Sequence, residues 1–173
     1  MALIRLSEIG KIYSGNETLA VGLRNVSLEF DTGEFVAVTG QSGSGKTTLL
    51  NIIGGIDSYE EGELYINDSP TSHYTQKDWE KYREDYVSFI FQEYNVLESF
   101  TVLENVELSL PASYSGKSRR KRALDLISKV GLEDKIHCKC AKLSGGQKQR
   151  TVIARALAKD SPVILADEPT GNL

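Results

Sequence analysis

Apolar and polar residues alternate in some parts of the chain and form continuous apolar runs in others. Residues 3–9 and 26–30 alternate, which is typical of strands that bury one face. Residues 35–39 (FVAVT) are a continuous apolar run that ends at Gly40, and this pattern predicts a strand buried on both faces. Further strands are predicted over residues 63–67, 87–91 and 162–166.

Helical spacing of apolar residues dominates the second half of the chain. We predict helices over residues 101–110, 119–132 and 144–159, and a shorter one from Thr47 to Ile53 that stops before two glycines. The predicted buried stripes are Ala123, Leu126, Ile127 and Val130 in the helix over 119–132, and Val152, Ile153, Ala156 and Leu157 in the helix over 144–159.

This order of elements predicts an α/β fold in which a helical block is inserted into a core. We expect one domain over residues 1–173, with the core formed by residues 1–92 and 159–173 and a helical subdomain over about 93–158. No segment has the composition of a linker to a second domain.

Charge and hydropathy narrow the classes of partner. The chain has 24 acidic and 20 basic residues, so its net charge of −4 gives no basic field, and we expect no nucleic-acid partner. No apolar segment approaches the length that spans a bilayer, and the N-terminus lacks the apolar core of a signal peptide. We therefore expect a cytoplasmic protein whose membrane role, if it has one, depends on a partner.

Two cysteines lie close to a histidine in the segment His137-Cys138-Lys139-Cys140. Such a cluster could bind metal, but zinc sites usually have four ligands at wider spacing. The sequence favours two reduced thiols in a surface loop.

Residues 40–47 have the pattern of a phosphate-binding loop, with a predicted strand before them and a predicted helix after them. They are Gly40, Gln41, Ser42, Gly43, Ser44, Gly45, Lys46 and Thr47. Glycines let successive backbone N–H groups turn inward, and the N-terminus of the following helix adds a positive dipole end. We expect Lys46 to reach the β- and γ-phosphates of a nucleotide and the Thr47 hydroxyl to bind Mg²⁺.

Asp167 and Glu168 follow the predicted strand over residues 162–166. Ligands gather at the carboxyl ends of parallel strands, so Asp167 is placed to hold the magnesium ion. Glu168 can then orient or deprotonate a water that attacks the γ-phosphate. A solvent-exposed acidic strand end before Pro169 is the alternative.

A second glycine-rich segment begins the predicted helix over residues 144–159. Ser144, Gly145, Gly146 and Gln147 form a helix N-terminus that could face an anion. One nucleotide does not need two such helix ends, so we interpret this one as facing a nucleotide held by a second copy of the protein. A plain serine N-cap is the alternative.

Together these motifs resemble the nucleotide-binding subunits of ATP-binding cassette (ABC) ATPases, over essentially the whole chain. GQSGSGKT resembles their Walker A loop, VILADE their Walker B strand with its catalytic glutamate, and LSGGQ their signature motif. The resemblance implies a P-loop core with a parallel sheet, an N-terminal antiparallel β-subdomain and an inserted helical subdomain. It implies ATP and Mg²⁺ as ligands.

The resemblance also assigns roles to residues that the patterns alone do not identify. Tyr13 falls where the family places an aromatic residue that stacks on adenine, and Thr48 follows the Walker A loop among the nucleotide-binding residues. Gln92 resembles the Q-loop glutamine, which touches the magnesium site and relays its state to a membrane partner. The resemblance implies that Glu168, Lys46 and Gln92 are the catalytic residues. Residues 171–173 resemble the start of the D-loop.

Within the family, residues 91–110 and 168–173 are similar to the ATPases of lipoprotein-release, macrolide-efflux and antimicrobial-peptide-export systems. This implies a dimer, most simply a homodimer, in which Walker A of one copy and LSGGQ of the other enclose each ATP. It also implies an integral membrane permease as partner, and a peripheral position at the inner face of the membrane. Hydrolysis would drive export or extraction by that permease.

The sequence departs from the family pattern at its C-terminal end. The D-loop aspartate and the switch histidine have no counterpart, and neither does the later strand that lies between the Walker A and Walker B strands in the related fold. We therefore expect a truncated product whose core is incomplete and which hydrolyses ATP poorly.

Two other function classes remain open at this point. One is a soluble ABC-type ATPase that acts on nucleic acid. The other is a regulatory switch that binds ATP and dimerises without transport.

Overall fold

The computed structural model describes residues 2–14 and 19–171, which form two compact units that divide between Asp85 and Tyr86. Each unit has its own buried side chains and its own sheet. The predicted division into a core and a helical subdomain stays a prediction.

The first unit contains a four-stranded antiparallel sheet with the strand order β2-β1-β3-β4. Its strands are β1 (Ala2–Ser14), β2 (Leu19–Asp31), β3 (Glu61–Ile66) and β4 (Ser69–Pro70). Ile4 and Leu6 of β1 are buried, and so are Leu64 and Ile66 of β3, because alternate side chains of a strand point to the same face. Ile9 is buried as well, because an irregularity in the pairing between Leu6 and Ile9, with Glu8 at φ +54°, shifts the alternation by one residue. The strands predicted over 3–9, 26–30 and 63–67 are confirmed.

Two helices complete the first unit, α1 (Lys46–Ile53) and α2 (Gln76–Asp85). The Tyr82 hydroxyl of α2 is buried and donates a hydrogen bond of 2.8 Å to the carbonyl of Ile53. Gly55 ends the turn after α1 at φ +65°, and a Cβ there would lie 2.3 Å from the Trp79 ring. Glycine is therefore required for α2 to pack on this turn.

The strand predicted over residues 35–39 is wrong. The segment forms no strand and is exposed throughout, with Phe35 99% accessible. A continuous apolar run predicts burial only if neighbouring strands cover it and satisfy its backbone groups. Among the described residues no strand pairs with 35–39, and the later strand implied by the family resemblance has no counterpart there.

The second unit contains a two-stranded parallel sheet of β5 (Val87–Ile90) and β6 (Val163–Ala166). The strands pair in register from Val87 opposite Val163 to Ile90 opposite Ala166. This confirms the two strands predicted over 87–91 and 162–166.

Three helices pack together in the second unit: α3 (Val102–Ser109), α4 (Gly116–Lys129) and α5 (Gly145–Ala158). Single 3₁₀ turns lie between α4 and α5 at Glu133–Lys135 and Cys140–Lys142. The buried side chains that these elements share include Val102, Leu103, Val106, Ala123, Leu126, Ile127, Leu132, Ala154 and Ala158. All three helices were predicted.

Three details of the predicted stripes and of the cysteine segment need correction. Leu157 is 37% exposed, because it lies outside the buried face of α5, which includes Val152, Ala154 and Ala156. Val130 of the α4 stripe is half-buried and lies just past the helix end. Cys140 is buried rather than on the surface, since its sulfur accepts a hydrogen bond from the Asn105 amide inside the helical core.

No helix within the described ranges is long and apolar enough to cross a membrane.

Candidate functional site

The predicted phosphate-binding loop is an exposed turn that runs directly into α1. Gly43 and Gly45 adopt φ values of +77° and +90°, which favour glycine. A Cβ on Gly45 would lie 2.4 Å from the carbonyl oxygen of Gly22 and 3.0 Å from the side chain of Leu23. The loop therefore passes so close to β2 that only glycine fits at this position.

Lys46 bends back over the loop that precedes it. Its ammonium donates hydrogen bonds to the carbonyl oxygens of Gly40 at 3.0 Å and Gln41 at 2.9 Å. The first turn of α1 contains no acidic residue, and Gly45 has no side chain to cap it. A cation and the positive end of a helix dipole thus lie at one exposed loop, which suits a phosphate group.

Tyr13 lies in the same unit as this loop and contacts α1. Its hydroxyl donates to Asp57 Oδ2 at 2.7 Å and lies 3.4 Å from Thr48 Oγ1. The side chain remains 40% exposed. Of the nucleotide-binding residues predicted in this unit, Tyr13 and Thr48 are therefore neighbours in space, although 35 positions separate them.

Lys11, Asp57 and Glu60 form an ion-pair cluster beside Tyr13. The Lys11 ammonium lies 3.0 Å from Asp57 Oδ1 and 2.9 Å from Glu60 Oε1. Burial alone would raise the pKa of Asp57, but hydrogen bonds from Tyr13 and Lys11 outweigh it and lower that pKa. Burial alone would lower the pKa of Lys11, but hydrogen bonds to Glu60 and Asp57 raise it.

Sequence reasoning missed this cluster. A usable signal was Lys11 itself, because it follows Ile9 at a two-residue spacing on the buried face of β1. A lysine at an inward position needs a carboxylate partner. The sequence does not indicate which acidic residue supplies it.

The two carboxylates predicted at the end of β6 lie in the second unit. The Asp167 N–H donates to the Ile90 carbonyl at 2.9 Å, so the pairing of β5 with β6 continues one residue past the strand. Glu168 turns the chain at φ +45°, and its carbonyl accepts from the Gly171 N–H at 3.0 Å. The Gln92 side-chain amide donates to Glu168 Oε2 at 3.0 Å, so these two predicted catalytic residues are in direct contact.

The predicted signature segment begins α5 with a capping box. The Ser144 hydroxyl accepts from the Gln147 N–H at 3.4 Å, and Gln147 Oε1 accepts from the Ser144 N–H at 3.0 Å. Gly145 and Gly146 form the first residues of the helix. The serine N-cap considered from the sequence is thus present, and a role of these four residues toward a nucleotide stays a prediction.

Among residues 2–14 and 19–171, no three or more His, Cys, Asp or Glu side chains come together as a metal site, so the cysteine segment forms none. Of the predicted start of the D-loop, Asn172 and Leu173 lie outside the described residues.

Comparison with known proteins gives consistent results at the levels of family, sequence and structure. The family described as ABC transporter matches residues 23–171. The chain is 47% identical over 176 residues to the ABC transporter ATP-binding protein MJ0796 of Methanocaldococcus jannaschii, an alignment that covers 99% of this chain and 75% of the relative. It is 45% identical to the macrolide export ATP-binding/permease protein MacB of Hyphomonas neptunium, over 99% of this chain and 27% of that protein.

A solved structure of MJ0796 is also similar. It is a dimeric ATP-binding cassette in a post-hydrolysis state bound to ADP and Pi, with a TM-score of 0.89 and 43% identity. The superposition covers 98% of this chain and 75% of that one.

Proposed function

Because this chain belongs to the ABC transporter family, we propose that it is an ATP-binding subunit that couples ATP binding and hydrolysis in a dimer to a membrane permease. The observation that carries the proposal is the loop over residues 40–47. There the Lys46 ammonium and the uncapped N-terminus of α1 lie together at an exposed turn whose backbone conformation requires glycine.

In the first unit, some of the proposed nucleotide-binding groups bind the phosphates and one binds the base. Backbone N–H groups of residues 40–48 and the Lys46 ammonium bind the phosphates, because both donate hydrogen bonds and the ammonium and the helix dipole add positive charge. Tyr13 binds the base, since an exposed aromatic ring beside α1 offers a face for stacking.

Hydrolysis depends on Glu168 as the general base. Its carboxylate accepts the proton of the attacking water, and the hydrogen bond from Gln92 supports this role because it fixes the orientation of the carboxylate. Lys46 stabilises the negative charge that develops on the γ-phosphate.

Magnesium is the ion proposed to accompany the nucleotide. The residues that the sequence and the family resemblance assign to it, Thr47, Gln92 and Asp167, carry the hydroxyl, amide and carboxylate oxygens that this hard cation prefers. The ion would neutralise charge on the phosphate oxygens.

The four residues Ser144, Gly145, Gly146 and Gln147 would bind the nucleotide of a second copy. The dimeric state of the similar MJ0796 cassette with ADP and Pi supports this arrangement. The MacB relative joins ATP-binding and permease functions in its name, which supports a permease partner and a position at the inner face of the membrane. Export or extraction is the corresponding transport reaction.

The proposal is tested by equilibrium binding of Mg-ATP to the chain and to Lys46→Ala. We expect the variant to lose at least tenfold in affinity, because the phosphates lose a charge-assisted hydrogen bond of roughly 1.5–3 kcal/mol. Lys77→Ala removes an exposed lysine of α2 and is the matched control. Equal affinities of the three proteins would contradict the proposal.

Dimer formation is tested separately by sedimentation with Mg-ATP. Glu168→Gln retains the nucleotide and should accumulate the ATP-bound dimer, whereas Lys46→Ala should remain monomeric. If every variant sedimented as a monomer with and without Mg-ATP, the proposed dimer would be contradicted.

A further inference from the structure

Tyr13 is fixed in its orientation although it is partly exposed. Its hydroxyl donates to Asp57 Oδ2 at 2.7 Å. A Cβ on Gly22 would lie 2.7 Å from the Tyr13 ring and 3.1 Å from the Thr48 methyl group. The ring and α1 can therefore meet over β2 only because residue 22 is glycine.

Asp57 is itself held in place by a second layer of contacts. Its Oδ1 atom pairs with the Lys11 ammonium at 3.0 Å and accepts from the Ser58 N–H at 2.8 Å. Lys11 is almost completely buried and also pairs with Glu60 at 2.9 Å. Glu60 Oε2 in turn accepts from the Ile12 N–H at 3.0 Å, next to Tyr13 in the chain.

This arrangement is more than packing requires. The hydroxyl of a buried tyrosine needs a partner within the protein. Tyr13 is 40% exposed, so water could bond to its hydroxyl instead. Instead, Asp57 bonds to the Tyr13 hydroxyl, and Lys11 and Glu60 hold Asp57 in place. The ring therefore lies beside Thr48, two residues after Lys46. A ring whose orientation is set before binding loses less conformational entropy when a planar group stacks on it.

We propose that Asp57, held by Lys11 and Glu60, is a positioning residue that fixes the Tyr13 ring for stacking on the nucleobase. Asp57 acts through Tyr13 and does not itself touch the nucleotide. The inference rests on the proposed function, because it requires ATP at the loop over residues 40–47.

The test compares a ligand that has a base with one that has none. Binding of Mg-ATP and of magnesium tripolyphosphate is measured for the whole chain, for Asp57→Ala and for Tyr13→Phe. The two variants remove the same hydrogen bond from opposite ends, and Tyr13→Phe keeps the aromatic ring. Glu63→Ala is the matched control, since Glu63 also accepts a tyrosine hydroxyl at 2.7 Å, from Tyr59.

We expect Asp57→Ala and Tyr13→Phe each to weaken ATP by about fivefold and tripolyphosphate by less than twofold, as for the loss of one hydrogen bond. The double variant should be no weaker than either single variant, because both remove one interaction. Glu63→Ala should leave the ratio of the two affinities unchanged, even where it lowers the melting temperature.

Equal losses for both ligands in Asp57→Ala would overturn the inference, because they would show a general structural role. Unchanged ATP affinity in both single variants would overturn it as well. If the unmodified chain bound neither ligand, or if Lys46→Ala bound both normally, the proposed function would fail and this inference with it. Two results together would support both the proposed function and this inference. Asp57→Ala and Tyr13→Phe would weaken the binding of ATP but not of tripolyphosphate, and Lys46→Ala would weaken the binding of both ligands.

Discussion

At the scale of residues, Lys11 is a buried charge that depends on its neighbours. Its side chain is only 7% exposed, so its charge would be costly without compensation. Asp57 and Glu60 supply that compensation. Their dependence on one another makes the cluster sensitive to protonation.

We predict that the contribution of Asp57 to stability is lost in acid. Its folded pKa lies below the ordinary value of 3.8, so the contribution is complete above pH 3.8 and disappears as pH falls through the lowered pKa. At neutral pH, Asp57→Ala should cost about 2 kcal/mol, because Lys11 keeps Glu60 as a partner.

Urea unfolding of the chain and of Asp57→Ala between pH 2 and pH 7 measures this difference. The two free energies of unfolding should converge toward the lowest pH. A difference that stays constant across that range would show that the carboxylate charge is irrelevant.

At alkaline pH the corresponding group is Lys11. Its folded pKa is raised above 10.5, so its contribution to stability is complete below that pH and is lost as pH rises through the raised pKa.

The phosphate-binding loop could be predicted from the sequence because its residues are consecutive and its chemistry is local. The Tyr13–Asp57 hydrogen bond could not, since 44 positions separate the two residues and no short pattern relates them. The contact of Gln92 with Glu168, 76 positions apart, could not be predicted either, because only the family resemblance identified Gln92, whereas Glu168 followed from its place after a predicted strand.

At the scale of elements, the start of α1 depends on the backbone of Gly45. We predict that Gly45→Ala costs about 3 kcal/mol and abolishes ATP binding, because the new methyl group meets the Gly22 carbonyl at 2.4 Å in a left-handed conformation. Gly33→Ala is the control, with φ +84° but nothing within 4 Å of its Cβ. It should cost about 1 kcal/mol from backbone strain alone. Thermal unfolding of the two variants separates strain from collision, and equal costs would refute the close approach.

Two buried amides of the helical core should respond in opposite ways to apolar substitution. Asn105 of α3 bonds to Leu97, Thr101 and Cys140, so Asn105→Leu should cost about 2–3 kcal/mol. Gln149 of α5 is equally buried, and its side chain has no partner among the described residues. Gln149→Met should therefore be neutral or stabilise by about 1 kcal/mol in urea unfolding. A large loss for Gln149→Met would show that this amide has a partner after all.

Helices and paired strands were predictable because their apolar spacing reflects the face that they bury. The segment over 35–39 was not, because its pattern records a preference for burial and not whether neighbouring strands are present. Leu157 shows the same limit on a helix, where an apolar residue at the edge of the stripe lies outside the core.

At the scale of the whole molecule, the proposed function depends on ATP binding to the loop over residues 40–47. Family membership makes this the expected ligand. The structure adds the reason why Lys46 and the start of α1 are suited to its phosphates.

The most direct test is the thermal unfolding of the chain with and without Mg-ATP at about a hundred times its dissociation constant. We predict that the melting temperature rises by about 5–10 °C, because binding to the native state alone adds about 2.7 kcal/mol. Lys46→Ala, whose affinity is at least tenfold lower, should rise by at most about half as much at the same ATP concentration, and Lys77→Ala should behave as the unmodified chain. A melting temperature indifferent to ATP, or an equal rise in Lys46→Ala, would contradict the account.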